Sequence, residues 1–151
     1  MHAAVQINSG DSNSAEARAL IAELDAYLEA LYPPEQNHLE SPEALSQEIF
    51  LIASHDGEAV GCVAVKRLGD GQGEIKRLYV RPSTRGLGAA KKLMDAVETQ
   101  AKSSGMDLLL LETGAKQVEA CRLYERLGYQ PRGPFAGYPD NGASLFMEKQ
   151  L

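Results

Sequence analysis

The sequence predicts a single α/β domain with a mixed sheet. Three short segments of strand character follow one another between residues 49 and 80, separated by turn residues, which predicts an antiparallel meander. After a helical segment comes the continuous apolar run Leu108 to Leu111, which is typical of a strand buried on both faces. Together they predict a meander joined to a strand–helix–strand crossover. The length of 151 residues suits one core, so residues 1–151 are expected to form one domain.

The N-terminal part is predicted to contain one strand and two helices. The strand is expected at residues 4–7. Asn13 is predicted to cap the first helix, because Glu16 follows it in capping-box register and apolar residues then recur at helical spacing. Pro33-Pro34 ends that helix. Ser41-Pro42-Glu43 predicts a second helix, since a capping serine precedes a proline at the first helical position.

The remaining elements follow from apolar segments and the turns between them. Strands are expected at residues 49–54, 60–67, 74–80 and 107–112, near Tyr129 and at 144–149, with helices at 87–102 and 117–127. Gly105 and Gly128 are suitable residues to end those two helices. The prediction is therefore about seven strands flanked by about four helices.

Composition narrows the classes of function. A net charge of −6 disfavours a general nucleic-acid binder, which needs a basic face. No apolar run approaches the roughly 18 residues of a membrane helix, and the N-terminus lacks the features of a secretory signal, so we expect a cytoplasmic protein without membrane contact. Cys62 and Cys121 have no metal-ligand spacing, and we expect no metal site.

The turn from Arg85 to Ala90 carries the strongest local signal. It lies between a predicted strand and a predicted helix, and its glycines let backbone N–H groups approach a ligand. The N-terminus of a helix favours a phosphate or pyrophosphate. The turn has neither the GK[ST] of a P-loop nor the GxGxxG spacing of dinucleotide-binding proteins. By itself it is equally compatible with a purely structural turn or with another nucleotide ligand.

Two longer segments resemble the GNAT superfamily of N-acetyltransferases. EIKRLYVRPSTRGLGAAKKLM, residues 74–94, is similar to the family's core, with Arg85, Gly88 and Ala90 at its Arg/Gln-x-x-Gly-x-Gly/Ala positions. QVEACRLYERLGY, residues 117–129, resembles its later helix, and SLFMEKQL resembles its last strand. The likeness covers residues 59–151, and the first 50 residues agree only in element order. It implies the GNAT fold and an enzyme that uses acetyl-CoA as co-substrate, without a metal.

The resemblance also implies which residues bind the donor. Main-chain groups of Leu78, Tyr79 and Val80 are expected to contact the pantetheine arm from a bulged strand. Gln117 stands where the family often has Asn. The pyrophosphate is expected on the turn formed by Arg85, Gly86, Leu87, Gly88, Ala89 and Ala90.

The chemistry requires a base and an acid, because an alkylammonium with a pKa near 10.4 attacks a thioester only after losing a proton. By resemblance, Tyr124 reaches the coenzyme sulfur and serves as the acid. A packing role for the tyrosine is the alternative. Glu74 occupies the position of the catalytic glutamate of the histone-acetylating members and is the candidate base. The alternatives are a solvated Glu74 and a water relay.

The acceptor side is less defined by the sequence. Tyr32 and His38 lie in or beside a loop that overhangs the acceptor in relatives, Glu112 ends the buried strand, and Tyr138 precedes the last strand. We expect direct transfer to a primary amine of a small molecule or amino acid in a ternary complex. Acetylation of proteins or peptides and a non-catalytic CoA-binding module are the alternatives. The sequence does not identify the acceptor or show whether acyl groups larger than acetyl are transferred. It also leaves the oligomeric state open, for which a homodimer is one option.

Overall fold

The computed structural model describes residues 4–33, 41–140 and 142–151. Seven strands form one mixed sheet in the order β1-β2-β3-β4-β5-β7-β6. They are β1 (Gln6–Ser9), β2 (Ile49–His55), β3 (Glu58–Gly69), β4 (Gln72–Val80), β5 (Leu108–Gly114), β6 (Gln130–Arg132) and β7 (Ser144–Gln150). The α-helices among the described residues are α1 (Ala15–Leu31), α2 (Ala89–Ser103) and α3 (Val118–Arg126).

The pairing of the strands confirms the predicted meander and crossover. Strands β1 to β4 pair in succession and antiparallel. β4 and β5 pair in parallel, and α2 connects them. β5, β7 and β6 then complete the sheet with antiparallel pairs. None of the helices in the described ranges combines the length and hydropathy of a membrane span.

Two predictions for the N-terminal part are wrong. The N-cap of α1 is Ser14, whose Oγ accepts a hydrogen bond from the Ala17 amide at 3.2 Å. Asn13 does not cap the helix, because its side-chain oxygen instead accepts from Arg18 Nη2 at 2.9 Å. Ser41-Pro42-Glu43 begins only a 3₁₀ turn, Glu43–Leu45, because the chain enters β2 four residues later. The described chain therefore has three α-helices, where about four were predicted.

The sheet separates two apolar layers. Alternate residues of the central strands pack against α2 and α3 on one face, among them Val63, Val65, Leu109 and Leu111. The opposite face packs against α1, through Leu20 and Ile21 of the helix and Phe50, Cys62 and Ala64 of the sheet. This division determines which side chains of β4 and β5 face each helix.

A β-bulge interrupts β4 at Arg77 and Leu78. Cys62 pairs with Tyr79 but Ala64 pairs with Lys76, so two residues of β4 oppose Val63 alone. Arg77 has a φ of 58°, which is unusual for a residue with a side chain. Its buried guanidinium forms an ion pair with Asp25 of α1, and the Cys62 thiol donates to its carbonyl at 3.3 Å. The bulge that the resemblance implied is confirmed.

Beyond the bulge, β4 and β5 separate. Their parallel pairing extends only from Gln72–Leu108 to Ile75–Leu111. β4 continues to Val80 along β3, and β5 continues to Gly114 along β7. The two central strands therefore part in the middle of the sheet, and the pairing of β4 with β5 ends at Ile75 and Leu111.

Candidate active site

A cleft of about 680 Å³ opens where β4 and β5 part. Leu24 and Tyr27 of α1 line one wall, and the start of α3 lines another. Nearly all residues predicted to bind the donor line the cleft, namely Leu78, Tyr79, Val80, Arg85, Gly86, Gly88, Ala89, Ala90 and Gln117. Leu87 and Tyr124 are not among its lining residues. Residues far apart in the sequence are thus brought to one cavity.

The turn before α2 presents free backbone N–H groups to this cleft. Gly86 and Gly88 have φ values of 92° and 77°, and a Cβ added at either would meet no atom within 4 Å. These glycines are therefore required by the backbone conformation rather than by packing. The amide of Lys92 is the first in α2 to bond back, to the Gly88 carbonyl at 3.0 Å. The earlier amides of the helix remain available to an anion.

Basic side chains surround the cleft. Arg85, Lys91, Lys116 and Arg126 line it, whereas Glu119 is its one acidic lining residue among those described. Arg85 lies 3.7 Å from Glu119 and Lys91 lies 2.7 Å from Asp95, and all four side chains are largely exposed. Such exposed pairs are weak and exchange readily for a ligand's charges. A local excess of positive charge on a chain of net charge −6 fits a polyphosphate ligand.

Tyr124 lies behind the cleft wall, packed into the core. Its side chain is 7% exposed, and its ring meets that of Tyr129 edge-on, with centroids 5.8 Å apart. Burial raises the pKa of the Tyr124 phenol, and the nearby Cys121 and Glu112 raise it further. In the described part of the chain, its hydroxyl has no hydrogen-bond partner. The phenol therefore keeps its proton at neutral pH, as a general acid must.

Glu74 is buried among partners. The residue is only 3% exposed. Its Oε2 accepts a hydrogen bond from the Tyr138 hydroxyl at 2.6 Å and lies 3.1 Å from Lys76 Nζ. Lys76 Nζ also contacts the Tyr138 hydroxyl at 2.5 Å. Phe135 and Phe146 pack against the Tyr138 ring. The structure thus joins the predicted Glu74 and Tyr138 directly, and Lys76, which lies on the same face of β4, contacts both.

Tyr32 and Glu112 lie near the parted end of β5. The Tyr32 hydroxyl accepts a hydrogen bond from the Lys116 amide at 2.8 Å, and Lys116 Nζ lies 5.3 Å from the centre of its ring. Tyr32 thereby connects the end of α1 to the segment that precedes α3. Ser144 Oγ donates to Glu112 Oε2 at 2.6 Å. His38, the fourth predicted acceptor residue, lies outside the described residues.

Several cleft residues were not predicted from the sequence. Leu24 and Tyr27 come from a part of the chain that resembles the family only in element order. Tyr27 is 44% exposed in the folded chain, a property that the sequence alone does not reveal. Lys116 and Arg126 were missed because only folding brings them to the turn at 85–90. The period of two along β4 could have paired Lys76 with Glu74.

Comparison with known proteins gives a consistent result. The acetyltransferase (GNAT) family model matches residues 17–129. A protein named IAA acetyltransferase from Azospirillum brasilense is 43% identical over 136 residues, covering 87% of this chain and 88% of its own length. A solved structure from Klebsiella pneumoniae, named as an acyl-CoA N-acyltransferase, is 40% identical over 97% of both chains, with a TM-score of 0.84.

A more distant structure shares the fold. A GNAT acetyltransferase from Elizabethkingia anophelis, solved with acetyl-CoA bound, covers 97% of this chain and 98% of its own. Its sequence identity to this chain is 17% and the TM-score is 0.74. The fold is thus retained where little of the sequence is.

Proposed function

Because this chain belongs to the GNAT family of acetyltransferases and uses acetyl-CoA, we propose that it acetylates a primary amine of a small molecule or amino acid. The observation that carries the proposal is the cleft beside β4, with the glycine turn before α2 at one end and the buried Tyr124, whose phenol pKa is raised by burial, behind its wall. The name of the Azospirillum relative supports a small acceptor. We place this activity in a single cytoplasmic domain spanning residues 1–151.

We propose that the predicted donor residues hold acetyl-CoA, which supplies an activated acetyl group as a thioester. The amides at the start of α2 would bind the pyrophosphate, and the positive φ of Gly86 and Gly88 leaves no side chain in the way. The edge of β4 at Leu78 to Val80 would bond to the pantetheine arm. The basic rim around Arg85 and Lys116 would neutralise the phosphates.

The parted strands suit direct transfer in a ternary complex. The cleft is reached by α1 on one side and by α3 on the other, so donor and acceptor can be held together. The acceptor nitrogen forms a bond to the acetyl carbon while the carbon–sulfur bond breaks. Tyr124 would give its proton to the departing sulfur, because its phenol is protonated and lies beside Leu123, which lines the cleft.

The acceptor's proton requires a base, and two carboxylates on the α1 face are candidates. Glu74, the predicted base, is buried and bonded to Tyr138 and Lys76. Among the described residues, Glu112 accepts a single side-chain hydrogen bond, from Ser144. A water relay to either is the remaining route. Tyr32, His38 and Tyr138 are proposed as the neighbours of the acceptor on this face.

The experiment is a panel of acceptors with acetyl-CoA. Release of free thiol is followed with small amines, amino acids, lysine peptides and peptides with free N-termini, and products are weighed by mass spectrometry. The proposal expects a product heavier by one acetyl group with a small amine. Turnover only with peptides would favour a protein acetyltransferase. Tight acetyl-CoA binding with no turnover would favour a binding module. Light scattering on the same sample measures whether the chain is a homodimer.

A further inference from the structure

The two carboxylates on the α1 face of the sheet differ in what they contact. The Glu74 carboxylate is 3% exposed and already has two donors at Oε2, the Tyr138 hydroxyl and the Lys76 ammonium. A second cation arriving at Glu74 would compete with the Lys76 ammonium, which already balances the charge of this carboxylate. Glu74 therefore resembles a structural carboxylate that fastens Tyr138 to the sheet.

Glu112 differs in position. The last pair between β4 and β5 is Ile75–Leu111, so Glu112 is the first residue of β5 beyond the point where the strands part. Leu109 and Leu111 pack in the core beneath α2, and the alternation of a strand turns Glu112 to the opposite face, towards α1. The residue is half-buried. Its carboxylate thus lies on the α1 face of the sheet, just beyond the last pair between β4 and β5.

Glu112 also differs in its partners. Ser144 Oγ donates to Oε2 at 2.6 Å, which fixes the carboxylate without neutralising it. Within residues 4–33, 41–140 and 142–151, no basic side chain forms an ion pair with Glu112. A half-buried carboxylate without a cation is well suited to receive one from a ligand.

Tyr124 and Glu112 are near each other although they belong to different elements. The charge of Glu112 contributes to raising the pKa of the Tyr124 phenol, after burial and Cys121, and it also contributes at Tyr32. The groups that interact with Glu112 from the surrounding elements are Tyr32 after α1, Tyr124 of α3 and Ser144 of β7. Glu74 and Lys76 of β4 lie on the same face of the sheet.

We propose that Glu112 is the carboxylate that binds the acceptor's ammonium group and takes its proton, and that Glu74 instead holds Tyr138 in place. This inference rests on the proposed acetyl transfer. Glu112 first takes one proton from the bound ammonium and releases it to solvent, which leaves a neutral amine with a lone pair. A second proton passes from the nitrogen to Glu112 as the carbon–nitrogen bond forms, and Tyr124 gives its own proton to the sulfur as the carbon–sulfur bond breaks. Solvent then carries that second proton from Glu112 to the Tyr124 phenolate, which restores both groups. The acceptor class is accordingly a primary alkylammonium.

The test compares Glu112→Gln with Glu125→Gln, which removes the same charge from an exposed position on α3 beside Tyr124. Gln keeps an oxygen that Ser144 can bond, so the fold should be retained. With an acceptor found in the panel, kcat/KM at pH 7 should fall on the order of 10²-fold for Glu112→Gln. That deficit should shrink as the pH approaches the acceptor amine's own pKa, near 10.4, because the amine then arrives deprotonated.

Two further variants sharpen the result. Glu112→Asp keeps a carboxylate and should recover part of the rate with the wild-type pH dependence. Glu74→Gln should lower the melting temperature, and its rate per folded molecule should keep the wild-type pH dependence. Calorimetry with coenzyme A should give the same Kd for Glu112→Gln and wild type. A Glu112→Gln deficit that is absent, or that does not change with pH, overturns the proposal.

A binding measurement gives a readout independent of turnover. n-Butylammonium chloride is titrated into the CoA-bound protein, and the amide resonances of Thr113 and Ser144 are followed by NMR. Saturable shifts are expected in wild type and Glu125→Gln but not in Glu112→Gln, with n-butanol as the uncharged control. Shifts that persist in Glu112→Gln, or that are absent from wild type, overturn the assignment. A wild type inactive with every acceptor instead contradicts the proposed function, so the two failures are distinguishable.

Discussion

Gly114, at the end of β5, is the position where a single methyl group should be most damaging. A Cβ built there would lie 2.7 Å from Cε2 of Tyr32, with Cζ and Oη closer still. Tyr32 is 5% exposed, and its hydroxyl accepts from the Lys116 amide. The ring cannot move away without losing that hydrogen bond, so Gly114→Ala forces either overpacking or separation of α1 from the segment before α3.

The cost can be worked from these contacts. Overpacking a filled site costs about 1–3 kcal/mol, and the lost hydrogen bond adds about 1 kcal/mol. Replacing glycine by alanine also lowers the conformational entropy of the unfolded chain, which offsets about 0.4–1 kcal/mol of this cost. Gly133→Ala is the matched control, since its Cβ meets nothing within 4 Å and its φ is not in the left-handed region. The free energy of unfolding of Gly114→Ala should lie about 2–4 kcal/mol below that of Gly133→Ala.

Urea unfolding and thermal melts measure this difference. A change of that size corresponds to roughly 4–16 °C in melting temperature for a domain of this length. Tyr32→Ala removes the obstructing ring, so adding Gly114→Ala in that background should cost little, and the double-mutant cycle reports the coupling. Equal melting temperatures for Gly114→Ala and Gly133→Ala, or an unchanged cost in the Tyr32→Ala background, would refute the reasoning.

Three further predictions concern the donor side and the core. Tyr124→Phe should lower kcat on the order of 10²-fold with little change in KM for acetyl-CoA. The control Tyr129→Phe, which loses a hydrogen bond to Glu98, should instead lower the melting temperature. If steady-state kinetics and melts show the reverse pattern, Tyr124 has no part in the mechanism. Gly88→Ala and Gly57→Ala place similar strain at φ values of 77° and 80°, but calorimetry should show only Gly88→Ala raising the Kd for coenzyme A, on the order of tenfold. Burial raises the pKa of the Cys62 thiol from 9.0 to about 12. The thiolate therefore forms more readily in the unfolded chain, and the free energy of unfolding should fall by up to about 1.4 kcal/mol per pH unit between pH 9 and about 12. Cys62→Ala should lack that contribution to the slope in urea titrations, and identical slopes would contradict the assigned burial.

The elements that sequence could predict are those defined by a short-range pattern. The meander, the buried Leu108–Leu111 run and the glycine turn before α2 follow from periodicity and turn residues, and the structure has each of them. The helix expected after Ser41 failed because a capping signal specifies where a helix begins, not how long it continues. Ile49 enters the sheet too soon for the turn at Glu43–Leu45 to extend.

The candidate site was predictable where main-chain geometry defines it and not where distant side chains meet. The turn at Arg85 to Ala90 and the bulge in β4 lie within one segment, which carries the family likeness. The association of Glu74, Lys76 and Tyr138 joins β4 to a loop 62 and 64 residues away in the chain. The arrival of Tyr27 at the cleft depends on how α1 crosses the sheet. The periodicity of a single sequence does not indicate which distant side chains come into contact.

The parting of β4 from β5 has a consequence for how such a protein can diversify. The edge of β4 offers amide and carbonyl groups, which every residue type except proline possesses, so most substitutions at Leu78 to Val80 would leave the bonding partners proposed for the donor in place. The residues proposed for the acceptor, such as Glu112 and Tyr138, would instead act through side chains, whose chemistry changes with each substitution. The same fold can therefore keep one donor while its acceptor specificity changes by side-chain substitution. A new specificity would not require changes in the half of the site that binds the donor.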